Sequence, residues 1–395
     1  MEKIDQISKD VVALARRIFG EDFVPLHRPV FEGNERQYLV DCIDSNFVSS
    51  VGAKVTEFEE KVAEFTGAKY ATATVNGTAA LHVAVELSGV KPGDEVISQA
   101  LTFIATCNAI TYAGAKPLFI DVDLDTMGLS PSALKIFLES NAEKRSEGTF
   151  NKLSGNRISA CVPMHTFGFP CRIAEIAEIC ADWDIALIED AAESLGSYVG
   201  RRHTGTFASM ATLSFNGNKV ITTGGGGMII TDDSELARRA KYITTTAKVP
   251  HPYEFLHHEI GYNYRLPNLN AALGCAQMER IDEFLTIKVH LADQWNAFFR
   301  ERDIDFVKAI NGNIANHWLN AIILNSRSDR DEFLKVTNES GVMTRPIWTL
   351  MSKLPMFKDC QTDGLENSLW LGDRVVNIPS SVPDGALSTY SGSQK

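Results

Sequence analysis

Ile185-Ala-Leu-Ile-Glu-Asp190-Ala-Ala-Glu193 is the stretch on which the reading of the fold turns. Four apolar residues bounded by acids and small residues have the length and composition of a fully buried strand. The strand closes on a carboxylate at Asp190. Downstream, Ser214-Phe-Asn-Gly-Asn-Lys219-Val-Ile-Thr-Thr-Gly224-Gly-Gly-Gly227 places a lysine shortly after a second apolar run. An acid at one strand end and a lysine after another are what pyridoxal phosphate (PLP) chemistry requires. The lysine forms a Schiff base with the cofactor aldehyde, and the acid keeps the pyridine nitrogen protonated so that the ring accepts electrons. Taken alone, the two residues fit equally well a solvated loop lysine and a strand-end cap.

A third segment adds a phosphate cradle. Val75-Asn-Gly77-Thr78-Ala79-Ala-Leu-His-Val-Ala-Val-Glu-Leu follows a short β-branched run and opens a helix whose apolar positions 80, 81, 84, 85 and 87 share a face. Free amides at a helix start bind phosphate, Gly77 admits a close backbone approach, and Thr78 adds a hydroxyl. An ordinary Asn or Thr cap explains this segment too. Ser214 is a candidate second phosphate contact.

Together these motifs, with Thr102-Phe103-Ile-Ala-Thr106 and Gly261-Tyr-Asn263-Tyr-Arg265, resemble the nucleotide-sugar aminotransferases of the DegT/StrS group over residues 24–383. The resemblance implies an α/β chain of the aspartate-aminotransferase type of PLP fold. It implies that Lys219 forms the Schiff base and that Asp190 pairs with the pyridine nitrogen. Phe103 would stack on the ring, and Gly77, Thr78, Ala79 and Ser214 would surround the phosphate. Asn263 would reach the phosphate of a neighbouring subunit, making a homodimer with shared active sites. Many members carry glutamine where this chain has Glu193, beside the cofactor's phenolic oxygen. A carboxylate there needs a proton or a cationic partner. The sugar dehydratases of the group carry histidine in place of the lysine, so Lys219 favours amino transfer. The implied donor is an amino acid, with glutamate first, and the acceptor is a nucleotide-linked keto sugar.

Four stretches resemble the legionaminate- and bacillosamine-route branch: Pro25-Leu-His-Arg28-Pro-Val-Phe-Glu-Gly33, Phe47-Val-Ser49-Ser50-Val-Gly52, Thr246-Ala-Lys248-Val-Pro-His251-Pro-Tyr253 and Thr344-Arg345-Pro-Ile-Trp348. That branch implies amination at C4 of a UDP-linked 2-acetamido-4-keto-6-deoxy hexose for cell-surface glycans such as lipopolysaccharide. GDP-perosamine-type enzymes share much of the framework and are the alternative. Arg28, Lys248, Arg265 and Arg345 are the candidates for the substrate's charged groups, because arginine's planar fork suits phosphate and carboxylate. A surface salt bridge explains any one of them more simply, and Arg265, in the same motif as Asn263, is the foremost candidate of the four.

The remaining chain sets the frame. Apolar strand candidates at 71–75, 95–98, 117–122, 159–163, 185–189 and 211–215 alternate with helices, which predicts a mostly parallel sheet covered on both faces. Residues 1–24 read as a helical extension, 25–268 as the large PLP-binding domain and 269–395 as a small α+β domain. Within the last, a long helix over 271–302, continuous or broken, precedes strands near 317–324 and 341–346. The Ser/Gly-rich end from Ser388 reads as loose. A net charge of −12 argues against nucleic acid and anionic membrane partners. No apolar run approaches the roughly 20 residues that span a bilayer. The charged opening residues lack a signal-peptide core, and seven cysteines lack CxxC spacing, so a cytoplasmic protein without a metal centre is expected. Two other classes fit less well. Gly224–Gly227 precedes a strand and does not open a helix, which is the wrong context for a dinucleotide fingerprint. A non-catalytic PLP-fold sensor or regulator would ordinarily add a DNA-binding domain, for which residues 1–24 are too short.

Overall fold

The computed structural model describes residues 2–387. Its centre is a seven-stranded sheet in the order Tyr70–Thr74, Gly227–Thr231, Met210–Ser214, Ala186–Asp190, Ile158–Val162, Glu95–Gln99, Lys116–Ile120. Neighbours from Met210–Ser214 to Lys116–Ile120 are parallel. Gly227–Thr231 runs antiparallel to both of its neighbours, an inversion that the strand pattern did not announce. All six expected strands are present, with ends shifted by one or two residues.

Both faces of the sheet are apolar because both are covered. Met228 and Ile230 point into a cluster with Val55, Phe58, Val62, Ala271 and Cys275, while Ile229 points the other way, onto Ala80, Val83, Ala84 and Ala240. Alternate side chains of one strand therefore enter two different cores. This is the burial that continuous apolar runs in a mostly parallel sheet demand.

A second sheet is antiparallel, in the order Asp305–Phe306, Asn320–Ile323, Val375–Ile378, Arg345–Pro346. The N-terminal helix Glu2–Phe19 packs on its layer. Ile4, Ile7 and Val11 meet Trp295 and Phe299 of the Ile281–Arg300 helix together with Ile322 and Val376. The long helix expected over 271–302 is two, Asn268–Met278 and Ile281–Arg300, with the chain turning at Arg280 (φ −115°). A third core joins the sheets: Ala100, Leu101 and Phe119 pack with Trp318, Leu319, Ile347 and Val375. The end from Ser388 lies outside the described residues. Among the described residues, no helix is long and apolar enough to cross a membrane.

Candidate active site

The parallel strands all deliver their C-terminal ends to one edge, where ligands of such sheets gather. Asp190 ends one strand and Ser214 another. The inverted strand brings the glycine run to the same edge, because Gly227 is in register with both Thr74 and Ser214. A Cβ on Gly227 would lie 2.4 Å from the Asn76 carbonyl carbon, and one on Gly77 would lie 3.0 Å from Ser214 Cβ. The glycines thus let the Asn76–Gly77 turn settle onto the sheet edge.

That turn starts the Gly77–Leu87 helix. Asn76 caps it by accepting the Ala79 N–H at 2.8 Å, and its carbonyl accepts from Ala80 N. Ala79 therefore spends its amide within the chain. The N–H groups of Gly77 and Thr78 are left without an intrachain acceptor among the described residues, at the positive end of the helix, with Ser214 alongside.

Asp190 is 2% exposed. Thr106 Oγ1 donates to its Oδ2 at 2.6 Å and Ala192 N to its Oδ1 at 3.2 Å. Burial pushes its carboxyl above the ordinary range, against the Thr106 and Ala192 hydrogen bonds and the charges of Lys219 and His165. Behind it, Glu189 is fully buried and accepts from Gly205, Phe207 and Ala208 backbone N–H groups and meets His165 Nε2 at 3.0 Å. That network pins the strand end carrying Asp190.

Lys219 turns back over the same edge, its side chain 13% exposed. Its Nζ donates to Glu193 Oε1 at 3.1 Å and sits 3.8 Å from the Trp318 ring centroid. The indole Nε1 of Trp318 in turn donates to Asn218 O at 2.6 Å. The cationic partner that a carboxylate at position 193 needs is thus Lys219 itself. Glu193 Oε2 accepts from Phe167 N at 2.9 Å, and burial pushes its carboxyl up to about 7 despite the lysine charge.

Phe103 stands at the mouth, 47% exposed, with Trp348 at 6.2 Å between ring centroids. Trp348 also packs on Phe167 at 4.8 Å. Sequence reasoning missed Trp318, Trp348, Phe167 and Thr106 as site residues. Thr106 and Trp348 stood within motifs already quoted, whereas Trp318 and Phe167 carried no local signal.

The four cations separate. Arg265 and Lys248 line one open groove of about 660 Å³ with Ser50, Val51 and His251. Arg265 Nε donates to Asn263 Oδ1 at 3.0 Å, and Arg265 pairs across from Thr74, next to the Asn76–Gly77 turn. Lys248 Nζ lies over the Phe255 ring at 4.0 Å. Arg28 pairs with Asp384, and Arg345 is spent on Asn338 Oδ1 and Thr344 O, at 2.9 and 3.0 Å. Neither of these two makes a hydrogen bond to the lysine–acid cluster.

The residues present fit PLP. They offer a poorly solvated lysine, a buried acid near it, an exposed ring, and a glycine-shaped helix start with amides to spare. The comparisons agree. A family model for the DegT/DnrJ/EryC1/StrS aminotransferase family matches residues 29–383. The chain is 34% identical to a GDP-perosamine synthase of Escherichia coli O157:H7, over 91% of this chain and 93% of the relative. It is 33% identical to a GDP-perosamine synthase of Caulobacter vibrioides, over 89% and 91%. Among solved structures, the aminotransferase TlmJ of Streptoalloteichus hindustanus superposes with a TM-score of 0.83 at 24% identity, covering 94% of this chain and 97% of that one, which speaks to the fold.

Proposed function

Because the chain belongs to the DegT/DnrJ/EryC1/StrS aminotransferase family, and is therefore a PLP-dependent sugar aminotransferase, we propose that it moves an amino group from an amino acid, glutamate first, to C4 of a nucleotide-linked 4-keto-6-deoxy sugar. The observation that carries this reading is the convergence of Lys219, Glu193 and Asp190 at one sheet edge beside the Gly77–Thr78 helix start. When bound, PLP supplies an aldehyde that carries the amino group and a ring that takes up electrons.

The chain's own residues do the rest. Lys219 Nζ is the covalent anchor and, once free, the base and acid that carries the proton. Asp190, held by Thr106 and the pinned strand end, would hold the proton on the ring nitrogen. Gly77 and Thr78 N–H groups with Ser214 would hold the phosphate, and Phe103 would cover the ring. Trp318, with Phe167 behind it at 6.5 Å between ring centroids, covers the lysine and limits water there, which strengthens the charge interactions. The groove containing Lys248 and Arg265 is the favoured place for the diphosphate. Val51, Tyr253, Phe255 and Ile260, at 69, 82, 78 and 89% exposure, lie in the segments around it. Such a patch supports a second copy of the chain covering the groove and sharing the site through Asn263.

GDP is the favoured nucleotide, because two relatives above 30% identity across nearly their whole length are GDP-perosamine synthases. The UDP-linked acetamido sugar expected from the branch resemblance has less support and becomes the second arm of the test. Purified protein is loaded with PLP, its visible spectrum is followed on adding glutamate, and GDP- and UDP-linked 4-keto sugars are then supplied. A bleached band, and a GDP-linked amino sugar seen by mass spectrometry, support the reading. Turnover with the UDP sugar alone overturns the nucleotide assignment. A Lys219→Ala variant that still turns over overturns the mechanism.

A further inference from the structure

The Lys219–Glu193 contact is more than an ion pair at the surface of a pocket. Glu193 has a side-chain exposure of 1% and touches the reacting nitrogen. The backbone around it is bent to hold it. Phe167 adopts a left-handed conformation (φ 57°, ψ 13°), rare for an aromatic residue, and in that turn its N–H reaches Glu193 Oε2. Gly168 follows at φ +92°, where a Cβ would fall 1.9 Å from Asn316 Oδ1. Asn316 Nδ2 in turn donates to the Glu193 carbonyl at 2.8 Å, and Asn316 Oδ1 accepts the N–H of Trp318, the residue whose ring covers Lys219. Strain of this kind persists where the surroundings over-determine a position, and it clusters at functional sites.

We propose that Glu193 is the proton acceptor of Lys219. An N–H bond of the Lys219 ammonium breaks, an O–H bond forms at Glu193 Oε1, and the pair passes from two charges to a neutral amine and a neutral carboxyl. No proton has to reach solvent, and the amine becomes nucleophilic in place. Burial favours this exchange, because a desolvated ion pair loses most of what water contributed to both charges. The carboxyl's upward displacement to about 7 is in keeping with it. A glutamine at this position could accept a hydrogen bond from Lys219 but could not take its proton.

The surrounding charges do not offer a competing acceptor. Asp190, from the strand end, acts on Glu193 through space and is committed to Thr106. His165 is committed to Glu189. From the N-terminal arm, burial keeps the His27 imidazole well below its ordinary value, and the charges of Lys288 and Lys219 add to the effect. His317, beside Trp318, faces Asn320.

The inference rests on Lys219 being the nucleophile, so the experiment reads the two claims separately. Borohydride reduction of the PLP-loaded protein and peptide mapping locate the attached cofactor. An adduct elsewhere than Lys219 overturns both readings. The cofactor-free chain is then labelled with formaldehyde and cyanoborohydride from pH 7.5 to 9, and the rate at Lys219 is read by mass spectrometry. A shared proton makes the amine fraction a property of the pair. The wild-type rate is therefore expected to stay within about twofold across that range, while Glu193→Gln rises about tenfold per pH unit like an ordinary amine. A wild-type rate that itself rises tenfold per unit overturns the role of Glu193, and this profile decides the matter even if the variant fails to fold.

Discussion

Replacing Lys288 by methionine should make the protein more stable at neutral pH and erase a pH dependence. Lys288 is 1% exposed, on the Ile281–Arg300 helix. Its Nζ donates to Ser380 O at 2.6 Å and Trp318 O at 3.3 Å, and meets His27 Nε2 at 3.0 Å. No carboxylate is among these partners, and burial pushes the ammonium from the ordinary 10.5 down to about 7. That fall corresponds to about 5 kcal/mol by which the charged form weighs on the fold below pH 7. Between pH 7 and 10.5 the unfolded lysine still holds its proton while the folded one does not. The unfolded state therefore binds more protons, and stability rises with pH by about 1.4 kcal/mol per unit across that window. Methionine has similar length and no charge, but it abandons hydrogen bonds worth about 2–3 kcal/mol. The variant should exceed wild type by about 2 kcal/mol at pH 6.5, and the two should meet near pH 9. Guanidinium unfolding of the cofactor-free chain at fixed protein concentration, from pH 6.5 to 9, measures the difference. Parallel stability profiles for the two proteins would refute the reasoning, because they would mean that Lys288 keeps an ordinary charge in the fold.

Two further substitutions test the site's frame. Gly227→Ala puts a methyl 2.4 Å from Asn76 backbone atoms; since backbone must move, thermal unfolding should show a loss of about 1–3 kcal/mol, together with weaker PLP binding. Thr106→Val removes the hydroxyl that donates to Asp190, so the Asp190 carboxyl should be pushed higher still. PLP affinity, read by fluorescence titration, should fall roughly tenfold, in line with about 1.5 kcal/mol for a hydrogen bond to a charged group; an unchanged affinity would remove Thr106 from the support of Asp190.

Much of the large sheet was legible because its strands are buried on both faces. Ala-Leu-Ile before Glu189 and Met-Ala-Thr-Leu before Ser214 are short, mostly apolar runs between polar boundaries, and each became a strand within a residue or two of the expected ends. The inversion of Gly227–Thr231 was not legible, because side-chain alternation is the same whichever way a strand runs. The break between Asn268–Met278 and Ile281–Arg300 carries neither glycine nor proline, so a break could be expected in so long a helix but not placed. Asp305–Phe306 is too short to show any period, and it is a strand only because Ile322 and Ile323 pair with it.

The site divides along the same physical line. Lys219, Asp190 and the Gly77 turn could be read because each lies within a local pattern of strand, turn or helix start. Trp318 could not, because its role arises from a contact between segments a hundred residues apart, Trp318 Nε1 with Asn218 O. Glu193 stands between the two cases. Its position after Asp190 marked it, and the chemistry of a buried carboxylate required a proton or a cation, but only the fold shows that the cation is Lys219. Once that partner is known, the two buried acids at the strand end part company. Asp190 answers to Thr106 and a fixed backbone, whereas Glu193 answers to the one group nearby that must lose a proton before it can react. Environments that separate two neighbouring carboxyls in this way assign them separate tasks. On this reading Asp190 works as a lasting charge and Glu193 as a transient acid.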